Sequence, residues 1–178
     1  HQVDAVATLR ERDAAAMQSE NVPRRSHYYT LDTGGGKTIV AVAYIAALMR
    51  EDLEMRNAVD TVVWSSPKSS FQSTIQLVGE WVREAGLKAM ALPSTGVPQR
   101  GAFNIVNDDH LRIHLEKLVA DAPRCFYVFD EVDRFYNQTQ RTSAALELAQ
   151  TCFRSLCMTA TPLRSNKYVR RHAAQHAC

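Results

Sequence analysis

The chain has 178 residues, 46% hydrophobic and 22% charged, a composition that builds one compact domain with a sizeable core and speaks against disorder and against two full domains. Lys and Arg number 21 against 19 Asp and Glu, a formal net charge of +2, so the whole chain carries no strong field for a polyanion or a membrane surface and any anion site must be local. The longest apolar run, residues 39–49, falls well short of the roughly 20 residues that cross a bilayer.

Taken in chain order, apolar strand-like runs alternate with helical periodicity, which is the pattern of an α/β fold with a parallel sheet. Residues 2–18 read as a helix closed by Asn21-Val22-Pro23, and His27-Tyr28-Tyr29-Thr30-Leu31 as a short strand. A glycine cluster follows, then an Ala-rich helix over 37–50 that is apolar nearly all round and so expected to be buried. Thr61-Val62-Val63-Trp64 reads as the next strand, broken at Pro67. Phe71, Ile75, Val78 and Val82 then mark one face of a helix. Residues 88–92 and 103–106 are expected as strands on either side of a Pro/Gly loop, 93–101, and Leu111, Leu115 and Leu118 as a helical stripe. Residues 125–129 form a continuous apolar strand of the kind buried on both faces. Leu146, Ala149 and Phe153 suggest another helix, and Leu156-Cys157-Met158 the last strand. Trp64 and Trp81 are both expected in the core.

Three stretches carry chemistry. Leu31-Asp32-Thr33-Gly34-Gly35-Gly36-Lys37-Thr38 ends in the G-K-T of a phosphate-binding loop, with Leu31 where the pattern has its first glycine. Its glycines let backbone N–H groups of Thr33, Gly34, Gly35 and Gly36 face phosphate oxygens with no Cβ in the way, and the helix that follows adds its positive end. Lys37 is the point charge for the outer phosphates, and the Thr38 hydroxyl a ligand for Mg²⁺. Phe126-Tyr127-Val128-Phe129-Asp130-Glu131 is a buried strand ending in two acids, the setting of a Walker B site. There Asp130 holds Mg²⁺ and Glu131 orients and deprotonates a water. Met158-Thr159-Ala160-Thr161-Pro162 ends a third apolar strand, where a hydroxyl can hydrogen-bond Asp133 and report the state of the nucleotide site.

In this order the stretches resemble the first RecA-like motor domain of superfamily 2 helicases and nucleic-acid translocases. Residues 31–38 look like motif I, Asp130-Glu131-Val132-Asp133 like motif II in a DExD form, and Thr159-Ala160-Thr161 like motif III with Thr in place of Ser. The stretch 137–164 is also similar to chromatin-remodeller-type translocases. The resemblance implies a three-layer RecA-like P-loop domain with a mainly parallel sheet over residues 1–178, ATP and Mg²⁺ as cofactors, nucleic acid as partner and no membrane. It assigns Pro67 and Lys68, in a segment like motif Ia, to the nucleic-acid backbone. Gln2 takes the place of an adenine-reading glutamine, without the aromatic and arginine that usually precede it. It further implies a second RecA-like domain supplying arginine fingers, worth about three to five powers of ten in related phosphoryl transfer. The chain is therefore expected to be a piece of a longer motor, weakly active alone.

The residues leave two other readings open: a P-loop ATPase acting on something other than nucleic acid, and a non-catalytic nucleotide-binding scaffold. His110 with His114, and His172, His176 and Cys178, have metal-ligand spacing but are read as solvated side chains, as is the basic stretch of Lys167, Arg170 and Arg171. Cys125, Cys152, Cys157 and Cys178 show no CxxC spacing, and no secretory leader opens the chain, so an intracellular, non-secreted protein with reduced thiols is expected.

Overall fold

A computed structural model describes residues 2–17, 25–30, 35–51, 57–135 and 139–160. Among the described residues six strands form one sheet: β1 (Arg25–Thr30), β2 (Thr61–Ser66), β3 (Lys88–Ala91), β4 (Ala102–Asn107), β5 (Cys125–Phe129) and β6 (Arg154–Thr159). Their order across the sheet is β1-β6-β5-β2-β4-β3, and every pairing is parallel. The α-helices described in full are α1 (Gln2–Met17), α2 (Lys37–Glu51), α3 (Phe71–Arg83), α4 (Asp108–Ile113), α5 (Leu115–Asp121) and α6 (Gln140–Thr151).

The period-2 alternation of the strands sorts their side chains between two cores. Val62, Trp64, Phe103, Ile105, Phe126, Val128, Leu156 and Met158 face one way, onto α1, α2 and α3, where Leu9, Tyr44, Ile45 and Val78 meet them. Val63, Val106, Tyr127, Phe129 and Cys157 face the other way, onto α4, α5 and α6, through Leu111, Leu118, Ala145 and Leu148. These are the three layers expected from the runs of apolar residues, and α2 is buried on most of its circumference. Since the strands are parallel, Thr30, Thr159, Phe129, Ser66 and Asn107 all end at the same edge of the sheet.

Several expectations change in the folded chain. The stripe through Leu111, Leu115 and Leu118 is two short helices that turn at His114, whose ring packs against Gly96. A Cβ added at Gly96, which sits at φ +76°, would collide with the His114 ring. The last helix buries Ala144, Ala145 and Leu148, leaves Leu146 exposed and stops at Thr151. Phe153 lies past its end, with its N–H on the carbonyls of Ala122 and Cys125. Trp64 is fully buried, as expected, whereas Trp81 is 44% exposed. Its position flanks the stripe of Thr74, Val78 and Val82 that α3 buries, so the helix carries it outward. The β3–β4 crossover has no helix. Leu92 N–H bonds to Ile105 O, and the buried Asn104 side chain holds both the N–H and the carbonyl of Gln99.

Among the described residues no helix is long and apolar enough to cross a membrane.

Candidate nucleotide site at the carboxyl edge of the sheet

At the carboxyl edge, where ligands of open parallel sheets sit, Gly36 takes φ +83°, a conformation that strains any residue with a Cβ. Its carbonyl accepts the Val40 N–H at 3.0 Å, which starts α2, so the first N–H groups of the helix are left for an anion. Lys37, the first residue of α2, has a side chain only 10% exposed, and its Nζ lies 3.8 Å from Glu131 Oε1. Motif I and motif II residues, nearly a hundred positions apart in sequence, therefore meet at one point. Gly35 and Thr38 stand in the same half-buried loop and first turn. Thr33, Gly34 and Thr161 lie outside the described residues, as do His172, His176, Cys178 and the basic stretch 167–171. Gln2 begins α1.

Asp130 continues β5, with its N–H on Ser65 O at 3.1 Å. Burial, and next to it the Glu131 carboxylate, push the Asp130 carboxyl up to about 6. Lys37 and the Glu131 N–H, which donates to Asp130 Oδ1 at 3.0 Å, only partly offset this. The buried indole N–H of Trp64 makes no hydrogen bond of normal geometry and lowers the Asp130 value least of all. Glu131 itself sits at φ +51°, a left-handed backbone that costs a non-glycine residue about 1–3 kcal/mol. The turn then closes with Arg134 N–H on Glu131 O at 3.0 Å. Two adjacent carboxylates with one nearby ammonium, that of Lys37, are short of positive charge. A divalent cation is a group that the Asp130 carboxylate and the Thr38 hydroxyl would fit, and it would supply the missing positive charge.

On the neighbouring strand, Thr159 is buried and its Oγ1 donates to Asp133 Oδ1 at 2.7 Å, with Ala160 directly following. Pro67 is buried at the end of β2, and Lys68 is exposed in the turn that opens α3 on the same edge. His110 and His114 lie edge to face with centroids 6.0 Å apart. Burial, then His110 and Lys117, lower the His114 value. Among the described residues no group of three or more His, Cys, Asp or Glu is placed to hold a metal.

The profile of the DEAD/DEAH box helicases matches residues 11–168. This chain belongs to that family. Two solved structures similar to this DEAD/DEAH box domain give the same fold. One is a variant of S. cerevisiae Dbp5 bound to RNA and ADP-BeF3, with TM-score 0.60 and 14% identity over 94% of this chain and 43% of that one. The other is the helicase domain of Pyrococcus furiosus Hef, with TM-score 0.56 and 14% identity over 96% of this chain and 35% of that one. The DEAD/DEAH box domain described here thus has the RecA-like architecture of a helicase motor lobe and spans less than half of either chain. No curated protein matches its sequence.

Ser65, Asp108 and Arg134 also stand at this edge, and motif reading passes over them. Asp108 is 2% exposed; it accepts from Ser65 Oγ at 3.1 Å and faces Arg134 Nη1 at 3.2 Å. The signal that points to Asp130, a carboxylate following a buried apolar strand, is present at Asp108 after β4 as well.

Proposed function

We propose that the chain is the ATP-binding motor lobe of a superfamily 2 helicase or translocase, which couples Mg-ATP hydrolysis to movement on nucleic acid or to its unwinding. The observation that carries this reading is the meeting of Lys37 with Glu131 and Asp130 at the carboxyl edge of the sheet. Backbone N–H groups from Thr33 to Gly36, with the first turn of α2, cradle the phosphates, and Lys37 neutralises the outermost ones. Thr38 and Asp130 would hold Mg²⁺, which supplies charge stabilisation for the transferred phosphoryl group. Glu131, held beside Lys37 by its left-handed backbone, orients a water and takes its proton. Gln2 reads adenine. Thr159, through its hydrogen bond to Asp133, ties the turn that bears the carboxylates to the end of β6, and with Ala160 and Thr161 passes its position onward. Pro67 and Lys68 meet the nucleic-acid backbone. A second RecA-like domain in the parent protein completes the site with its arginines, so this lobe alone binds nucleotide and turns it over slowly.

The test is ATP turnover of the full-length protein with Mg²⁺, alone and with single-stranded RNA, single-stranded DNA and duplex DNA in turn. Stimulation by one of these is expected and names the track. Turnover indifferent to all of them points instead to an ATPase with another substrate, and no turnover to a scaffold. In the same assay Lys37→Ala is expected to lose nucleotide affinity with little change in fold; undiminished ATP binding would overturn the assignment of the phosphate loop.

A further inference from the structure

Asp108 is a charged side chain almost wholly removed from water, a placement that is costly unless the charge is paired. It is the first residue of α4, whose start is capped by Asn107 Oδ1 accepting from the N–H groups of Asp109 and His110 at 3.0 and 3.2 Å. The cap therefore does not need the Asp108 carboxylate, which instead receives Ser65 Oγ on one oxygen and faces Arg134 on the other. Ser65 serves twice, since its carbonyl takes the Asp130 N–H. The segment 130–134 is in this way tied to β2 at both ends, directly at Asp130 and through Asp108 at Arg134. Thr159 grips it from the β6 side at Asp133. Between these ties lies Glu131 at φ +51°. A left-handed non-glycine residue persists only where its surroundings over-determine it.

Building on the ATPase reading above, we propose that Asp108 and Arg134 are a positioning pair that holds the turn after β5, and with it the Glu131 carboxylate, in the geometry hydrolysis requires. Neither residue touches nucleotide. Loss of the pair lets the turn relax, so that Glu131 leaves its place beside Lys37 while the phosphate loop, built on α2, keeps its shape.

The test uses the full-length protein with Mg-ATP and whichever nucleic acid stimulates it. Asp108→Asn, Arg134→Gln, their double variant and Arg134→Lys are compared for kcat, nucleotide Kd and melting temperature. The two single variants are expected to lower kcat by about ten- to a hundredfold, the penalty of a misplaced catalytic group. Nucleotide Kd is expected to stay within about twofold, as a group acting on the turn alone should leave it. The double variant should be no slower than the slower single one, and Arg134→Lys, which keeps the charge, should recover most of the rate. Unchanged kcat in both single variants overturns the proposal, as do kcat and affinity falling together, single effects that multiply in the double, or a rate loss that merely follows melting temperature. Should Asp108→Asn fail to fold, the half-exposed Arg134 and its Gln and Lys variants carry the same readouts. A wild-type protein with no turnover overturns the ATPase reading and this one with it; an active wild type with unaffected variants overturns this one alone.

Discussion

Asp130 and Asp60 flank neighbouring strands of one sheet and are kept in opposite states. Asp60, at the amino edge just before β2, is partly exposed. The burial that would raise its value is outweighed by the Thr61 hydroxyl at 2.7 Å, by Arg124 and by Arg100 at 3.6 Å, so its carboxylate is held below the ordinary range. Asp130, just after β5, is buried beside a second carboxylate and pushed up to about 6. One end of the sheet has its charges matched, as a structural surface does. The other keeps a charge imbalance that the fold alone leaves unresolved, and such imbalance is how a binding site differs from a scaffold.

Substitutions at the two edges should therefore act on different quantities. The largest effect belongs to Glu131→Gln, which should lower turnover by about two to four powers of ten while ATP still binds; turnover at the wild-type rate would mean that another base acts. Next comes Asp130→Asn, expected to abolish Mg²⁺-dependent turnover and yet stabilise the ligand-free protein by about 3 kcal/mol at pH 7.5. The sign follows from linkage. The folded-state value, about 6, lies above the unfolded one, 3.8, so folding takes up a proton between them. This group's destabilisation is thus full above pH 6 and fades as pH falls toward 4. Urea midpoints of wild type and Asp130→Asn should converge over that window, and a constant difference would refute the assignment. Thr159→Val, which removes the hydroxyl donated to Asp133, should cost about 1 kcal/mol and reduce nucleic-acid stimulation by more than it reduces basal turnover. The smallest effect is at the amino edge, where Asp60→Asn should lose less than about 1 kcal/mol at pH 7.5 with turnover unchanged. A turnover defect there would erase the distinction between the two edges.

The parallel sheet was readable because it depends on local pattern, and the three chemical stretches stand out in the sequence for the same reason. A strand buried on both faces must be apolar throughout, as 125–129 is, and a phosphate loop must be glycine-rich next to a helix start. The errors fall where a side chain's fate depends on how far its helix is rotated or where it ends. Leu146 and Trp81 are apolar yet point outward, because Ala144, Ala145 and Leu148 on one helix and Thr74, Val78 and Val82 on the other already fill the available interface. The helix break at His114 coincides with its packing against Gly96, a contact made across 18 positions that periodicity cannot register. Ser65, Asp108 and Arg134 come from three separate segments, and only the β4-β2-β5 adjacency brings them together.

The strand order also sets a timetable. β1 pairs only with β6 among the described strands, so the strand that leads into the phosphate loop has no neighbour until residues 154–159 have been made. At about 5–20 residues per second, the nascent chain spends on the order of ten seconds with β1 ready and unmatched. Such long-range parallel pairing is intrinsically slow and leaves an open strand edge exposed to wrong partners. In order of synthesis β2 gains β4 as its first partner, β5 follows on the other side of β2 and gives β6 its template, and β1, which leads into the glycine-rich loop, is matched last.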